Sequence, residues 1–273
     1  MRSLELNGKL LSFERPKVMG IINLTPDSFY KESRVDNEET LTFRINEFAN
    51  QGVDIFDVGG YSSRPGAEDI SAEEEYSRLS RGLDQIRKIL PDAIISVDTF
   101  RAEVALRCIE NYGVDIINDI GGGILDPDMW EIVREKNVAY VLMHMRGTPS
   151  TMQSLVDYED VSSEVLSDLA AKVGSLRQKG VANIIVDPGF GFAKTVEQNY
   201  QLLQDLYMFH ELNAPVLAGL SRKSMIYRPL GLGPEDVANG TTVLNTIALM
   251  NGADILRVHD VKLAVEAVRL VNL

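Results

Sequence analysis

Cysteine is almost missing from this sequence, which contains only Cys108. A single cysteine excludes an intramolecular disulfide and agrees with a reducing, cytoplasmic compartment. Because Cys108 falls within a helical pattern, we expect it to be a buried packing residue, with a nucleophilic thiol as the alternative.

Long apolar runs and an excess of positive charge are also missing. No apolar stretch reaches membrane-spanning length, and the N-terminal residues MRSLELNGKLL lack the basic and then apolar arrangement of a signal peptide. The 27 basic residues are outnumbered by 40 acidic ones, and the net charge of −13 argues against nucleic acid or an anionic membrane as a partner. If the ligand is an anion, the cations that hold it must be gathered locally.

Strand and helix patterns alternate along the chain, without a linker rich in serine or glycine and without low-complexity segments. We therefore predict one domain over residues 1–273. Short apolar runs predict eight strands, at residues 18–22, 55–58, 94–97, 116–117, 139–143, 184–186, 216–218 and 255–258. Apolar residues at helical spacing predict helices at residues 38–50, 72–90, 102–111, 127–136, 160–178, 196–212, 234–251 and 261–271.

Two local patterns indicate how these elements are assembled. Asn7-Gly8 lies between two short apolar-rich runs, which predicts a β-hairpin that caps one end of the fold. A weak repeat of glycine, valine or alanine, aspartate and isoleucine occurs at residues 52–55, 113–116 and 252–255, with a longer variant at 180–184. Each copy reads as a helix that ends on glycine and turns into a strand. Eight such units favour a single (β/α)8 barrel with an N-terminal hairpin cap over a doubly wound sheet.

Active sites of (β/α)8 barrels lie at the C-terminal ends of the strands, so the residues there are the candidates. The sixth strand runs into Asp187, Pro188 and Gly189, either a turn or a buried carboxylate that binds a ligand. The first strand ends in Asn23, either a turn cap or a contact to ligand or metal. Small residues after the second strand surround Arg64, a planar cation suited to phosphate or carboxylate, with a solvated surface arginine as the alternative.

The third to fifth strands also end in polar residues. Asp98 lies on the same side of its strand as Ser96, and it either faces the barrel mouth or caps the next helix. Asn118 offers both a donor and an acceptor to the edge of a heterocycle. Met143, His144 and Met145 end the fifth strand and form either a thioether wall for an aromatic ligand or ordinary core packing.

The last two strands supply the local positive charge. Ser221, Arg222 and Lys223 follow the seventh strand, and Arg257 and His259 end the eighth. Residues two apart on a strand project to the same side, which predicts that Arg257 and His259 lie together, as do Ser221 and Lys223. Loops after strands seven and eight hold phosphate in many barrels. Three cations with a histidine therefore predict a phosphate site, and a salt-bridge network is the alternative.

Eight motifs, in this order along the chain, resemble those of the dihydropteroate synthase family of the folate pathway: NLTPDSF, GGYSSRPGA, SVDT, INDIGGG, MHMRGTPSTMQ, DPGFGFAKT, GLSRKSM and RVHD. The resemblance implies a dimeric, pterin-binding TIM barrel that is a target of sulfonamides. It further implies a transferase that joins a dihydropterin methyl diphosphate to p-aminobenzoate with Mg²⁺ and releases pyrophosphate and dihydropteroate.

The resemblance also implies roles for individual residues. The pterin would be held by Asp98, Asn118, Asp187 and Lys223. The diphosphate would be held by Asn23, Ser63, Arg64, Arg257 and His259, with Asn23 also serving the metal. The p-aminobenzoate pocket and its loops would comprise Phe29, Ser63, Pro65, Phe192 and Ser224. The catalytic residues would be Asp98, Lys223, Arg257 and His259.

Two loops depart from the usual pattern of the family. Its first loop commonly continues with Ser-Asp-Gly-Gly, whereas this chain has Tyr30-Lys31-Glu32-Ser33; its second commonly has Glu-Ser-Thr-Arg, whereas this chain has Tyr61-Ser62-Ser63-Arg64. These departures bear on metal binding and on the p-aminobenzoate pocket. Two other functions would share the pterin contacts: a methyltransferase that moves a methyl group from a folate to a corrinoid protein, and a pterin-binding protein without turnover.

Overall fold

The computed structural model describes residues 3–6, 8–24, 36–62 and 69–273, without the side chains of residues 36 and 37. Within these residues the strands are β1 (Ser3–Leu6), β2 (Lys9–Ser12), β3 (Lys17–Asn23), β4 (Ile55–Gly59), β5 (Ile94–Asp98), β6 (Ile116–Asp119), β7 (Ala139–Met143), β8 (Ile184–Asp187), β9 (Leu217–Ala218) and β10 (Ile255–Val258). The α-helices are α1 (Asp36–Gln51), α2 (Ala72–Ile89), α3 (Ala102–Tyr112), α4 (Met129–Lys136), α5 (Val161–Gln178), α6 (Val196–Gln204), α7 (Ser224–Leu230), α8 (Ala238–Met250) and α9 (Val261–Val271). Two 3₁₀ helices span Met152–Ser154 and Leu206–Leu212.

The strands β3 to β10 form one parallel sheet that curls into a nearly closed barrel. Its order is β8-β7-β6-β5-β4-β3-β10-β9. The gap between β8 and β9 is bridged by the pair Val186 and Val216, and the Val186 N–H donates to the Pro215 carbonyl at 2.9 Å. The predicted (β/α)8 barrel is therefore confirmed, and each predicted strand lies within one or two residues of the observed one.

Strand alternation divides the apolar residues of the barrel between two clusters. Met19, Ile55 and Ile185 face inward and pack together in the barrel interior. Their strand neighbours, such as Val18 and Phe56, belong to the larger cluster that includes residues of the surrounding helices. The inward positions of each strand are thus fixed, and continuing them toward the C-terminal ends identifies the side chains that reach the mouth.

The predicted hairpin closes the opposite end of the barrel. Strands β1 and β2 are antiparallel, and Leu4, Leu6 and Leu11 are buried in the interior cluster. The Asn183 side chain joins the hairpin to the barrel because it accepts from the Glu5 N–H at 3.3 Å and donates to the Glu5 carbonyl at 2.9 Å. The hairpin is therefore an apolar plug held by a two-sided hydrogen bond.

The glycine-aspartate repeat marks the turns at this same end. Gly52, Gly113, Gly180 and Gly252 all have positive φ, as helix-terminating glycines do. The aspartates that follow accept hydrogen bonds from strand N–H groups: Asp54 from Val18 at 2.9 Å, Asp115 from Ile95 at 3.0 Å and Asp254 from Val216 at 2.8 Å. The repeat thus satisfies backbone donors at the beginning of three strands.

The helix predictions differ from the structure at three places. The helix predicted for 196–212 is two segments, because α6 ends before Asp205 and a 3₁₀ helix follows. Helix α7 was not predicted, since Pro229 and Gly231 made its sequence resemble a loop; Gly231 caps it in a left-handed conformation. Helix α8 begins at Ala238, later than the predicted start at residue 234. Proline and glycine therefore indicated that the chain changes structure in this region, but not where each helix begins and ends.

Cys108 agrees with the sequence expectation. Cys108 is buried in α3, and burial raises the pKa of its thiol to about 12. A thiol with so high a pKa is a poor nucleophile. Along the described residues, none of the helices is both long and apolar enough to cross a membrane.

Shortening a buried leucine of the hairpin plug should destabilise the protein. Leu6 is fully buried, so Leu6→Ala is expected to lower the free energy of unfolding by about 2–5 kcal/mol in urea titrations. Leu10 lies on β2 but is 71% exposed, so Leu10→Ala is expected to change the free energy of unfolding by no more than about 0.5 kcal/mol. Equal effects of the two substitutions would contradict the plug.

Candidate active site

Strand alternation brings the predicted residues to one end of the barrel. Asn23, Asp98 and Asn118 continue the inward positions of β3, β5 and β6, and Asp187 and Arg257 continue those of β8 and β10. Neighbouring strands pair Asp98 with Asn118, and Gly59 stands between Asn23 and Asp98 in the sheet. A Cβ on Gly59 would lie 3.5 Å from Asn23 Oδ1 and 3.6 Å from the Asp98 Cβ. Glycine therefore leaves the space between these two side chains open.

Arg257 is shared by two carboxylates inside the mouth. Its Nε donates to Asp57 Oδ2 and its Nη2 donates to Asp98 Oδ2, both at 2.6 Å. Asn118 Nδ2 donates to both oxygens of Asp57 at 3.4 Å. Asp57 was not among the sequence candidates, although it is the one charged residue in the apolar run at 55–58. A charge in such a run is a usable signal, since it must find a partner when buried.

Asp187 and Lys223 form the opposite side of the site. Asp187 Oδ1 accepts from the Gly189 N–H at 2.8 Å, and Lys223 Nζ donates to the Phe190 carbonyl. A Cβ on Gly219 would lie 3.8 Å from Lys223 Nζ and 3.9 Å from Asp187 Oδ2, so both charged ends border the space above this glycine. Asp187 is therefore a buried carboxylate, and its contact with a ligand stays a prediction; the turn at Gly189 is real as well.

Burial shifts the pKa values of these groups toward their neutral forms. The pKa of Asp98 is raised to about 7 because burial outweighs the attraction of Arg257. Burial also raises the pKa of Asp187, although the Lys223 charge opposes the shift. The pKa of Lys223 is lowered to about 8, again mainly by burial and against the effect of Asp187. Perturbed groups that gather at the C-terminal end of a barrel favour a functional site over a structural ion pair.

The residues expected to hold phosphate separate into two groups. Ser221 Oγ lies 3.0 Å from His259 Nδ1 and also accepts from the His259 N–H at 3.2 Å. Arg222 instead has φ of 58° and pairs with Asp260 through Nε at 3.1 Å and Nη2 at 2.8 Å. The predicted convergence of three cations was therefore wrong for Arg222.

Strand alternation also fails for Ser221 and Lys223. Strand β9 ends at Ala218, so both residues lie beyond it in a turn. Their side chains take different directions, since Ser221 contacts His259 and Lys223 contacts the loop at Phe190. The phosphate candidates that remain at the mouth are His259, with Ser221, and Arg257.

A buried lysine that sequence reasoning missed stabilises the loop after β8. Lys194 Nζ lies 3.1 Å from His144 Nδ1 and donates to the Gly189 and Phe192 carbonyls at 3.0 Å. Burial and the Lys194 charge lower the pKa of His144 to about 2, so its neutral ring accepts from the lysine. His144 thus supports the loop after β8 through Lys194.

An apolar wall completes the described part of the site. Ile120, Met143, Met145 and Met152 form a buried cluster, and Phe192 packs against it. Met143 occupies an inward position beside Asp187 in the sheet. The Phe192 ring centroid lies 4.9 Å from Lys223 Nζ. The wall therefore offers a flat ligand an apolar face next to charged hydrogen-bonding groups.

Several predicted residues lie outside the described part of the chain. They are Phe29, Ser63, Arg64 and Pro65, together with most of the first loop, including Lys31. Tyr61 is described, and its ring packs edge-on against Phe100 with centroids 5.1 Å apart. Ser224, the remaining candidate of the p-aminobenzoate pocket, begins helix α7 directly after Lys223.

The described residues fit a magnesium ion only in combination with a phosphate ligand. They contain no cluster of three or more histidine, cysteine, aspartate or glutamate side chains that could hold a metal. Asn23 presents an amide oxygen at the mouth beside Gly59. Mg²⁺ keeps several waters and is commonly held by one or two protein oxygens together with substrate phosphates. Asn23 fits that mode of binding.

The raised pKa of Asp98 predicts a pH-dependent stability. In the folded protein this carboxyl keeps its proton up to about pH 7, whereas in the unfolded chain it ionises near 3.8. Asp98 therefore makes the free energy of unfolding fall as pH rises from about 4 to 7. We expect the curve of Asp98→Asn, from urea unfolding at several pH values, to rise relative to wild type across this range. The exposed Asp92→Asn should run parallel to wild type, and parallel curves for Asp98→Asn would contradict the prediction.

Known proteins share both the sequence and the fold. A model of the pterin binding enzyme family matches residues 19–259. The dihydropteroate synthase of Escherichia coli is 42% identical over 267 residues, which are 97% of this chain and 94% of that protein. The Yersinia pestis dihydropteroate synthase, solved with a sulfonamide drug complex, has a TM-score of 0.92 and 35% identity, with 99% of this chain and 98% of that one covered. The Xanthomonas albilineans enzyme in complex with 7,8-dihydropteroate has a TM-score of 0.87 and 34% identity over 98% and 97% of the two chains. The chain is therefore a member of the pterin-binding enzymes and, within them, of the dihydropteroate synthase family.

Proposed function

We propose that this chain, as a dihydropteroate synthase, joins a dihydropterin methyl diphosphate to p-aminobenzoate at the mouth of its barrel. The products are dihydropteroate and pyrophosphate. The observation that carries the assignment is the convergence of Asp98, Asn118, Asp187 and Lys223 at one end of the barrel, together with Arg257 and His259. The dihydropteroate complex of the Xanthomonas relative supports the same class of product.

The pterin is recognised by the paired charges of the mouth. Asp187 accepts N–H bonds from the amino-pyrimidine edge, and Lys223 donates to ring acceptors, so each buried charge gains a partner. Asn118 and Asp98 bind other polar atoms of the heterocycle. The wall at Met143 covers one face of the ring. Because the edge is read by buried polar groups, a ligand that lacks those atoms leaves them unpaired and binds poorly.

The diphosphate is held by Arg257, His259 and Asn23, with Ser63 and Arg64 of the second loop. These groups stabilise the negative charge that develops as the diphosphate departs. Asn23 would hold magnesium together with the substrate's diphosphate, and the metal would supply further positive charge against the departing group. Lysine stands at position 31, where the family commonly has an acid that serves the metal, and the neighbouring Glu32 is the acid that would substitute for it.

The reaction is a dissociative substitution without a covalent enzyme intermediate. The bond between the methylene carbon and the diphosphate oxygen breaks first, and the electron pair leaves with the diphosphate. The electron-rich dihydropterin stabilises the methylene cation. The amine of p-aminobenzoate then forms the carbon–nitrogen bond and loses a proton. An aromatic amine is a weak nucleophile, so assistance to the leaving group contributes most to the rate.

The p-aminobenzoate pocket comprises Phe192 and Ser224 together with Phe29, Ser63 and Pro65. Phe192 lies beside Lys223, at the edge of the pterin site, where the second substrate must approach. The Yersinia relative was solved with a sulfonamide drug, and we propose this pocket as the sulfonamide target of the present chain. The buried, unpaired Cys108 supports a cytoplasmic location.

A coupled pyrophosphate assay tests the function. We expect release that requires both substrates and Mg²⁺. Asp187→Ala is expected to lower kcat/KM by roughly 5- to 150-fold, about 1–3 kcal/mol, because a buried polar atom of the pterin loses its partner. The exposed Asp92→Ala should match wild type, and wild-type kcat/KM in Asp187→Ala would refute the pterin contact.

The same assay separates the alternatives. A methyltransferase would release no pyrophosphate and would instead methylate a corrinoid protein. A pterin-binding protein without turnover would bind the pterin diphosphate tightly and form no dihydropteroate. The charged groups at the ends of β9 and β10 favour the synthase, since a methyl transfer has no diphosphate to hold.

We further propose that the enzyme is a homodimer that pairs through helix α8. Its residues Val243, Ile247 and Met250 are exposed and lie at helical spacing on one face. An exposed apolar stripe of this kind is typical of a protein interface.

The dimer is tested by sedimentation. Ile247→Asp is expected to convert wild-type dimers to monomers, because a charge replaces an apolar contact. Phe43→Asp is the matched control, since Phe43 is 69% exposed on helix α1 and should leave the dimer intact. A monomeric wild type, or a dimeric Ile247→Asp variant, would contradict the interface.

A further inference from the structure

Asp57 has no part in the substrate contacts proposed above, yet it lies at the centre of the charged network. It occupies the middle of β4 and is fully buried. Its oxygens accept from Arg257 Nε at 2.6 Å and from Asn118 Nδ2 at 3.4 Å. A buried carboxylate with no other use is costly unless it orients its partners.

The two carboxylates that share Arg257 differ in access. Asp57 is fully buried, whereas the Asp98 side chain keeps 22% of its exposure and reaches the mouth. A ligand can therefore approach Asp98 but not Asp57. When Asp98 turns its lone pairs to a pterin, the guanidinium keeps a carboxylate partner only through Asp57.

Asp57 also determines which way the Asn118 amide faces. An ionised carboxylate can only accept, so the amide nitrogen of Asn118 must point toward Asp57. The amide oxygen then points away from Asp57 and is available to accept from a ligand. Without the carboxylate, the amide could rotate and present its nitrogen instead.

We propose that Asp57 is the positioning residue of this site: it retains Arg257 when Asp98 exchanges its bond to Arg257 for the pterin, and it fixes the Asn118 amide with its oxygen toward the ligand. The proposal rests on the proposed pterin contacts of Asp98 and Asn118. Asp57 itself touches no substrate and acts through its two neighbours.

The network predicts how Asp57 influences the ionisation of Asp98. The groups that face Asp98 are Arg257 from β10, Asp57 from β4, Asp119 from β6, Glu75 from α2 and Lys223 beyond β9. The three acids raise the pKa of Asp98, and Arg257 lowers it. Removing the charge of Asp57 leaves Arg257 with Asp98 as its carboxylate partner, so the pKa of Asp98 falls.

The experiment compares wild type with Asp57→Asn, which keeps the side-chain shape and removes the charge. Asp115→Asn is the matched control, because Asp115 is an equally buried carboxylate that binds the Ile95 N–H at the opposite end of the barrel. The first readout is kcat/KM for the pterin diphosphate between about pH 5 and 9, which reports ionisations of the free enzyme. The second is calorimetric binding of 6-hydroxymethyl-dihydropterin, a probe without diphosphate, over the same pH range.

We expect Asp57→Asn to lower kcat/KM about 10- to 100-fold and to weaken binding of the probe. The acidic limb of both pH profiles should move to lower pH. Asp115→Asn should leave both profiles unchanged. An unaltered kcat/KM in Asp57→Asn would overturn the proposal. A loss with an unmoved acidic limb would overturn it too, since a purely structural role predicts that result.

A second variant and a binding measurement without turnover complete the test. If Asp57→Asn does not fold, Asp57→Ser, which leaves room for a water beside Arg257, is measured in the same way with the same expectations. The probe needs no turnover, so it separates this proposal from the proposed function. Probe binding that responds to Asp57→Asn in a chain that releases no pyrophosphate would support the positioning role and contradict the synthase.

Discussion

The site depends on one half-buried guanidinium that serves two carboxylates. Arg257 has an outward-reaching partner, Asp98, and a fully enclosed one, Asp57. Because an unpaired charge in this environment is expensive, the ligand-free mouth keeps its own charges satisfied until a substrate arrives. The other side follows the same rule, since Asp187 and Lys223 bond to the backbone at Gly189 and Phe190. A substrate therefore replaces bonds within the protein instead of filling an empty set of donors and acceptors.

The two ends of the barrel use acidic residues for different purposes. At the bottom, Asp54, Asp115 and Asp254 bind the N–H groups with which strands begin, and this role is structural. At the mouth, Asp98 and Asp187 have raised pKa values and lie where the inward positions of their strands end. The residue type is the same, but its position along the strand decides whether it stabilises the fold or binds a ligand.

The sequence was sufficient for the barrel, its hairpin plug and most of the mouth, because alternation along a strand is a local rule. Asp98 and Arg257 were assigned with that rule, and Asn118 and Asp187 from their places at strand ends; each of the four occupies an inward position. Strand alternation could not predict the orientation of the Arg222 side chain, because that orientation is determined by Asp260, 38 residues further along the chain. The same rule did not identify Asp57, because its two partners, Asn118 and Arg257, come from strands that are distant in the sequence. It did not identify Lys194 either, because the acceptors of this lysine depend on the path of one loop. Helix α7 was missed because proline and glycine usually indicate a loop, whereas here Gly231 ends a helix.

The hairpin plug also has an electrostatic consequence for the opposite end of the barrel. Its leucines fill the lower interior, so among the described residues apolar side chains separate the charged groups from the solvent at that end. A flat substrate that covers the opening lowers the local dielectric around Arg257, Asp98 and Asp187 together, and every charge interaction beneath it strengthens at that moment. Residues that never approach the ligand, at the far end of the molecule, thus help to set the strength with which the mouth holds it.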